Sequence, residues 1–407
     1  MTSAAASVTL EDVRAAKEVL DRVIRPTPME YNRSLSERVG AATHLKCENL
    51  QRAGSFKIRG AYVRMSRLSA AERARGVVAA SAGNHAQGVA LAGQMLGIRV
   101  KVYMPVRAPM PKLAATKGYG AEVEQVGSTL DESLVHARAW AEESGAVLIH
   151  PFDHADIIAG QGTCGLEILE QCPDVRTVVV ETGGGGLLAG IAIAVRALAP
   201  HVTVVGVQAE RAAAYPPSLD AGRPVALTAM TTMADGIAVG RPGEVTFPLV
   251  RDLVDRIDTV SEDGMSRALL FLLERAKLVV EPAGAAAVGR LLEAPDLGWE
   301  GPVVAVLSGG NIDPLLMLRI IRHGMAAAGR FLQFAVRVPD SPGSLASLLA
   351  ECAALDANVL EVEHIRTSTR ISVDEVEIGV RLETRGPEHC TSVLRTLGEK
   401  GFRPHLG

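Results

Sequence analysis

Cysteine is scarce and irregular in this chain: five residues among 407, with no Cys-x-x-Cys pair. That spacing argues against a disulfide framework or a zinc knuckle and fits reduced thiols in a cytoplasmic protein. Aromatic residues are rarer still, at 3%, while glycine numbers 40. The pairing suits an α/β protein with small side chains between helices and sheet and many tight turns. A net charge of only −4 gives no reason to expect nucleic acid or an anionic membrane as partner. Long hydrophobic runs are missing too. The longest, Leu187 to Val195, is far short of the roughly 20 residues that span a bilayer. The N-terminus, MTSAAASVTLEDVR, has neither a basic stretch nor a long apolar one, and so reads as non-secretory.

What is present is alternation. From about residue 40, short apolar β-rich runs (THLKCE, GVVAAS, RVKVYMP, AEVEQV, AVLIHP) alternate with amphipathic stretches. Examples of the latter are Asn84 to Leu96, Pro111 to Lys117 and Leu130 to Glu143. The alternation resumes with RTVVVE, HVTVVGVQ, RIDTVS and PVVAVL. Strands apolar throughout and separated by helices imply open parallel sheets covered on both faces. Near residue 330 the texture changes. FLQFAVRVPD alternates as an edge strand would, and a helix follows that Ser341 could cap, with Pro342 at its first position. Then come VLEVEHIRT, VDEVEIGVRLET, the helix PEHCTSVLRTLGEKG and FRPHL as a possible last strand. The order βαββα is a ferredoxin-like α+β module. The expected organisation is therefore a large α/β domain with two subdomains over 1–329 and a small domain over 330–407.

Four loops carry the chemistry. Ser55-Phe56-Lys57-Ile58-Arg59-Gly60 holds a lysine beside an apolar residue, which alone is most often a solvated helix residue. Ser81-Ala82-Gly83-Asn84-His85-Ala86-Gln87-Gly88 closes an apolar strand and opens a helix, where free N–H groups could take a carboxylate. An ordinary capped helix start would look the same. Gly183-Gly184-Gly185-Gly186-Leu187 lies between strand and helix. A helix cap needs one glycine, not four; four make sense if the backbone wraps an anion such as phosphate. Ser308-Gly309-Gly310-Asn311 ends the strand PVVAVL, at the edge where open α/β sheets bind ligands.

Together, in this order, these loops resemble the fold-type II pyridoxal-phosphate enzymes (tryptophan synthase β-like), and within them the threonine dehydratases. The resemblance spans residues from about 10 to 325. It implies pyridoxal 5'-phosphate anchored covalently by Lys57, beside Phe56, with its phosphate held by Gly183 to Gly186 and Leu187. It also implies Asn84 at the ring hydroxyl, Ser308 at the pyridine nitrogen, and Gly309 and Glu281 near the ring. The substrate carboxylate would bind Ser81, Ala82, Gly83, Asn84 and His85. The implied reaction removes water and then ammonia from threonine, and acts on serine as well. A hydroxyl at position 308 can bond a neutral ring nitrogen, whereas a carboxylate would hold it protonated; the neutral ring favours elimination over transamination. Serine racemases, the neighbouring group, place a second serine where this chain has Ala82. A divalent-ion site of those relatives would use Glu210, the Ala214 carbonyl and an acid at position 216, which here is Pro216; no metal is expected. The tail resembles an ACT domain, which implies an amino-acid effector near Asp340, Ser341 and Asn358, in a pocket at a domain–domain interface, and a homodimer or homotetramer.

Two other classes compete. Gly184-x-Gly186-x-x-Ala189 followed by Glu210 approximates a nicotinamide fingerprint, but leaves Lys57 and two of the loops without roles. A non-catalytic amino-acid sensor would not need Lys57.

Overall fold

The computed structural model describes residues 8–327, 329–366 and 372–406. The chain divides into two compact units, Met1–Leu316 and Met317–Gly407. That division falls inside the helix Pro314–Ala327 rather than at 329/330, since the alternation read in the sequence assigned the whole helix to the first unit.

The first unit holds two sheets. One runs, edge to edge, through Met29–Tyr31, Thr43–Lys46, Val303–Val306, Thr177–Glu181, Thr203–Ala209 and Arg256–Val260. All neighbours are parallel except the edge strand Met29–Tyr31, which pairs antiparallel with Thr43–Lys46. So this sheet is mixed at one edge, where the sequence reading expected purely parallel strands. Every residue of Thr177–Glu181 and Val303–Val306 is buried, as strands covered on both faces require. The second sheet, all parallel, runs Glu122–Gln125, Val100–Met104, Val77–Ala80, Val147–Leu148.

Glycine's abundance has a packing cause. The helix Ala155–Gln171 crosses the helix Lys57–Ser66 through Gly160 and Gly60; a Cβ on Gly160 would stand 2.6 Å from the Gly60 Cα. The same helix crosses Gly186–Leu198 through Gly162, where a Cβ would lie 2.9 Å from the Gly190 carbonyl oxygen. Backbone-to-backbone contact at both crossings sets the Lys57 turn and the glycine loop on one common support.

The second unit is a three-stranded antiparallel sheet, Phe331–Pro339, Glu375–Glu383 and Asn358–Ile365, with Glu375–Glu383 in the middle. Phe334, Val336, Ile378 and Val380 pack against Leu348 and Cys352 of helix Ser344–Ala354 and Val393 and Leu397 of helix Pro387–Glu399. FRPHL contributes a single bridge, His405 to Ala335, not a strand.

The second unit corrects one expectation. Ser341 does not cap the helix. Gly343, left-handed at φ 97°, ends any backward extension, so the helix begins at Ser344 and the Ser341 hydroxyl lies 3.0 Å from that of Ser344. Within one chain Asn358 stands apart from Asp340 and Ser341, so a pocket holding all three would need two copies of the module, the interface the resemblance implies. The central strand separates them: Pro339 pairs with Glu375 at one end, and Asn358 with Glu383 at the other.

Candidate active site

The sequence around Lys57 is held by the loop after strand Val303–Val306. The Phe56 amide donates to the Ser308 carbonyl (3.2 Å), the Gly310 amide to that of Gly54 (2.9 Å), and Ser55 bridges Gly309. Lys57 opens its helix, with Nζ donating to the Pro151 carbonyl at 2.9 Å and lying 5.0 Å from the Phe56 ring centroid. Gly88 lets the helix Asn84–Leu96 close on this turn, since a Cβ there would stand 3.1 Å from the Lys57 Cβ. Burial lowers the Lys57 amine to about 8, against the opposing pull of Glu281.

Asn84, the first residue of its helix, donates through Nδ2 to the Glu281 carboxylate and accepts from Asn311 Nδ2 at 2.8 Å. Gly309 makes room for this contact: a Cβ there would stand 2.8 Å from Asn84 Nδ2. Burial pushes Glu281 up to about 7, with Lys112 pulling the other way and Asp235 adding to the rise; among the described residues its Oε2 has no hydrogen-bond partner. Ser81 Oγ accepts from the Gly83 amide at 3.1 Å, and Ala82 and Gly83 are half-buried at the turn. His85 is buried with Nε2 2.8 Å from the Ile149 carbonyl. Burial lowers it to about 3, with Lys57 adding to the drop, so the ring is neutral.

The glycine loop is pinned from behind. Thr246 Oγ1 and the Tyr215 hydroxyl donate to the Gly184 carbonyl at 2.7 and 3.3 Å. A Cβ on Gly184 would enter the Phe152 ring, and one on Gly185, left-handed at φ 94°, would meet the Tyr215 hydroxyl. The helix beginning at Gly186 leaves its first amides without intrahelical acceptors, a ready anion site.

So the structure brings Phe56, Lys57, Asn84, Glu281, Ser308 and Gly309 into one cluster of direct contacts. The remaining loops stand at strand ends: Ser81 follows Val77–Ala80, and Gly183 follows Thr177–Glu181 by one residue. Four features had no signal in the sequence. The first is the ion pair of Lys112 with Asp235 at 2.5 Å, where Lys112 Nζ would lie 3.7 Å from a Cβ on Gly83. The second is the Pro151 carbonyl at Lys57, and the third is the buried carboxyl of Glu181.

The fourth is an ionic cluster behind Lys57. Arg59 makes two 2.7 Å bonds to Glu48 and one to Glu167, and Lys46 Nζ reaches Glu167 at 2.6 Å. All four side chains are at most 8% exposed.

These residues fit pyridoxal phosphate: a buried lysine of depressed basicity, a glycine loop with no space for side chains, and a helix terminus for the phosphate. The family model for pyridoxal-phosphate dependent enzymes matches residues 20–309. The chain belongs to that family. It is 46% identical over 399 residues to an L-threonine ammonia-lyase of Thermotoga maritima, covering 98% of this chain and 99% of that one. Among solved structures it is similar to the processed form of threonine deaminase isoform 2 from Solanum lycopersicum. That likeness stands at 38% identity and TM-score 0.74, covering 77% of this chain and 86% of the other. A maize serine racemase is also similar, at 32% identity and TM-score 0.74 over 79% and 99% of the two chains.

The lowered amine gives a testable pH dependence. Only the neutral amine attacks an aldehyde, so capture of pyridoxal phosphate by the apoprotein should quicken about tenfold per pH unit until the amine is deprotonated. The levelling should come near pH 8, where Lys57 titrates, and not near 10.5. A rate still climbing at about pH 9.5 would show the amine to be unperturbed.

Proposed function

We infer that this chain is an L-threonine ammonia-lyase, converting threonine to 2-oxobutanoate and ammonia and serine to pyruvate. Similarity to a threonine ammonia-lyase along 98% of the chain, with Lys57 in a built cofactor site, carries the conclusion. Pyridoxal phosphate, when bound, supplies an electron sink that makes the substrate Cα–H bond acidic. Lys57 anchors it and, once freed, takes the Cα proton as a neutral amine, a role its lowered basicity supports. The amides of residues 81–85 hold the substrate carboxylate and orient the Cα–H bond. The amides of Gly183 to Leu187 would hold the phosphate, Asn84 the ring hydroxyl, and Ser308 the ring nitrogen. Neutral His85 adds no charge beside the carboxylate.

Ala82 decides reaction choice. It has no hydroxyl with which to return a proton to the opposite face of Cα. L-Serine should therefore yield pyruvate with no D-serine, followed by chiral chromatography beside a 2-oxobutanoate assay on threonine. D-Serine accumulating as fast as pyruvate would reverse the reading towards a racemase.

The segment 330–407 is an ACT-like regulatory module. Its support is the βαββα order and a concavity of about 210 Å³ lined by Asp340, Ser341, His364 and Arg366. Arg366 lies 3.3 Å from Asp340, a charge pair that a zwitterionic amino acid can exchange. Asn358 lines a different concavity, with Arg330, Asp356 and Glu383, and in a homo-oligomer would serve a neighbouring copy. Truncation before residue 330 should leave an active catalytic unit that no longer responds to isoleucine or valine. If the full-length enzyme ignores both and truncation changes only the oligomer, the module holds subunits together and binds no effector. Among the described residues no helix is long and apolar enough to cross a membrane.

A further inference from the structure

Lys112 sits on the buried face of the helix Met110–Gly118, beside Leu113 and Thr116. Its side chain is only 7% exposed. Burying an ammonium is costly unless charge or hydrogen bonds answer it. Asp235 answers part of that cost, since Lys112 Nζ donates to its Oδ2 at 2.5 Å. The segment Asp235–Ile237 is itself fixed against two walls of the site. A Cβ on Gly183 would stand 3.1 Å from the Ile237 Cα, and one on Gly236 would stand 3.6 Å from Glu281 Oε1. Yet the Asp235 side chain is 54% exposed, and a lysine need not be buried to reach it.

The other side of the ammonium accounts for its burial. Lys112 Nζ lies 3.7 Å from the place of a Cβ on Gly83, over the turn that opens the helix Asn84–Leu96. A substrate carboxylate bound at that turn meets carboxyl groups of its own sign, Glu281 bonded to Asn84 and Asp235 beyond it. Of the three basic side chains beside the turn, Lys57 must be neutral when it takes the Cα proton, and His85 is neutral. Burial pulls the Lys112 amine down, but Asp235 and Glu281 more than offset that pull, and the group stays charged. We propose that Lys112 is a substrate-binding residue, its ammonium the counter-ion of the substrate carboxylate held by the amides of residues 81–85. The proposal rests on the assignment of that carboxylate to the turn. The amides supply dipoles, and the ammonium adds the full charge that lets a further carboxylate enter an acidic corner.

The test uses the protein loaded with pyridoxal phosphate and two ligands that differ in the group at stake. L-2-Aminobutanoate carries the carboxylate and has no β-hydroxyl to lose; in its amino alcohol, 2-amino-1-butanol, CH2OH replaces the carboxylate. Titration of the visible absorption gives the dissociation constant of each. Lys112→Met should weaken the amino acid by roughly ten- to a hundredfold and the amino alcohol by less than about twofold. Lys112→Gln, uncharged but polar, carries the same expectation should the methionine variant not fold. Lys112→Arg, which keeps the charge, should retain most of the preference for the amino acid. Asp235→Asn still offers Lys112 an acceptor oxygen and should retain that preference too. An unchanged preference in Lys112→Met, or equal weakening of both ligands, overturns the proposal. So does Asp235→Asn losing the preference as fully as Lys112→Met, which would make the lysine a strut for the segment 235–237. If the wild type binds both ligands equally well, the carboxylate site itself is misplaced, and the proposal falls with it.

Discussion

Threonine turnover should fall by more than about 10⁴-fold when Lys57 is replaced by alanine, since in the proposed mechanism anchor and base vanish together. The fold should survive. Among the described residues the Lys57 side chain makes one hydrogen bond, to the Pro151 carbonyl, and its helix is held mainly by buried Ile58, Arg59, Ala61, Val63 and Met65. The glycine loop is pinned independently by Tyr215 and Thr246, so phosphate binding should persist while borohydride no longer fixes a chromophore. Formation of 2-oxobutanoate is the measurement, with circular dichroism as the check on folding. Near-normal elimination by this variant would remove Lys57 from the chemistry altogether.

Arg59→Met is expected to give the largest loss of stability. In the native cluster burial alone would raise Glu48, but Arg59 holds it below its ordinary value. Methionine matches the length of the stem and removes three charge-assisted bonds to carboxylates. Glu48 is then left buried with no cation in contact, and Glu167 keeps only Lys46. Breaking such a pair from one side costs about 3–5 kcal/mol. Urea unfolding of the apoprotein reads this directly, and a midpoint shift equivalent to under about 1 kcal/mol would mean water already reaches the cluster. Arg59→Lys, which keeps the charge but loses the two-pronged geometry, should fall between the two.

The frame of the catalytic unit was legible because its signals are local. Apolar runs such as TVVVE and VVAV can only be covered strands, and four glycines in a row have few uses. The strand Met29–Tyr31 escaped because three residues beside two prolines carry no period. The ionic cluster escaped for a different reason. Lys46, Glu48, Arg59 and Glu167 each look like surface residues, and only the folded chain shows that they are neutralised by one another. Glu181 likewise only ends an apolar run in the sequence, and its burial shows only in three dimensions. In the tail, element order was visible, but the place of Asn358 depended on register, which the alternation of VLEVEHIRT leaves open; the shift between Val359 and Glu361 moves part of that strand by one residue.

The walls behind the glycine loop also bear on how this sequence can drift. The space a Cβ needs at Gly184 is filled by the Phe152 ring, and at Gly185 by the Tyr215 hydroxyl. A single codon change at either glycine meets a wall. A change at Phe152 or Tyr215 alone opens a void or leaves the Gly184 carbonyl to Thr246 alone. Routes away from GGGG therefore run through paired substitutions whose first step is harmful, and a mutational scan should find these two positions intolerant even of alanine, while Gly118 and Gly398, with open space around them, accept it.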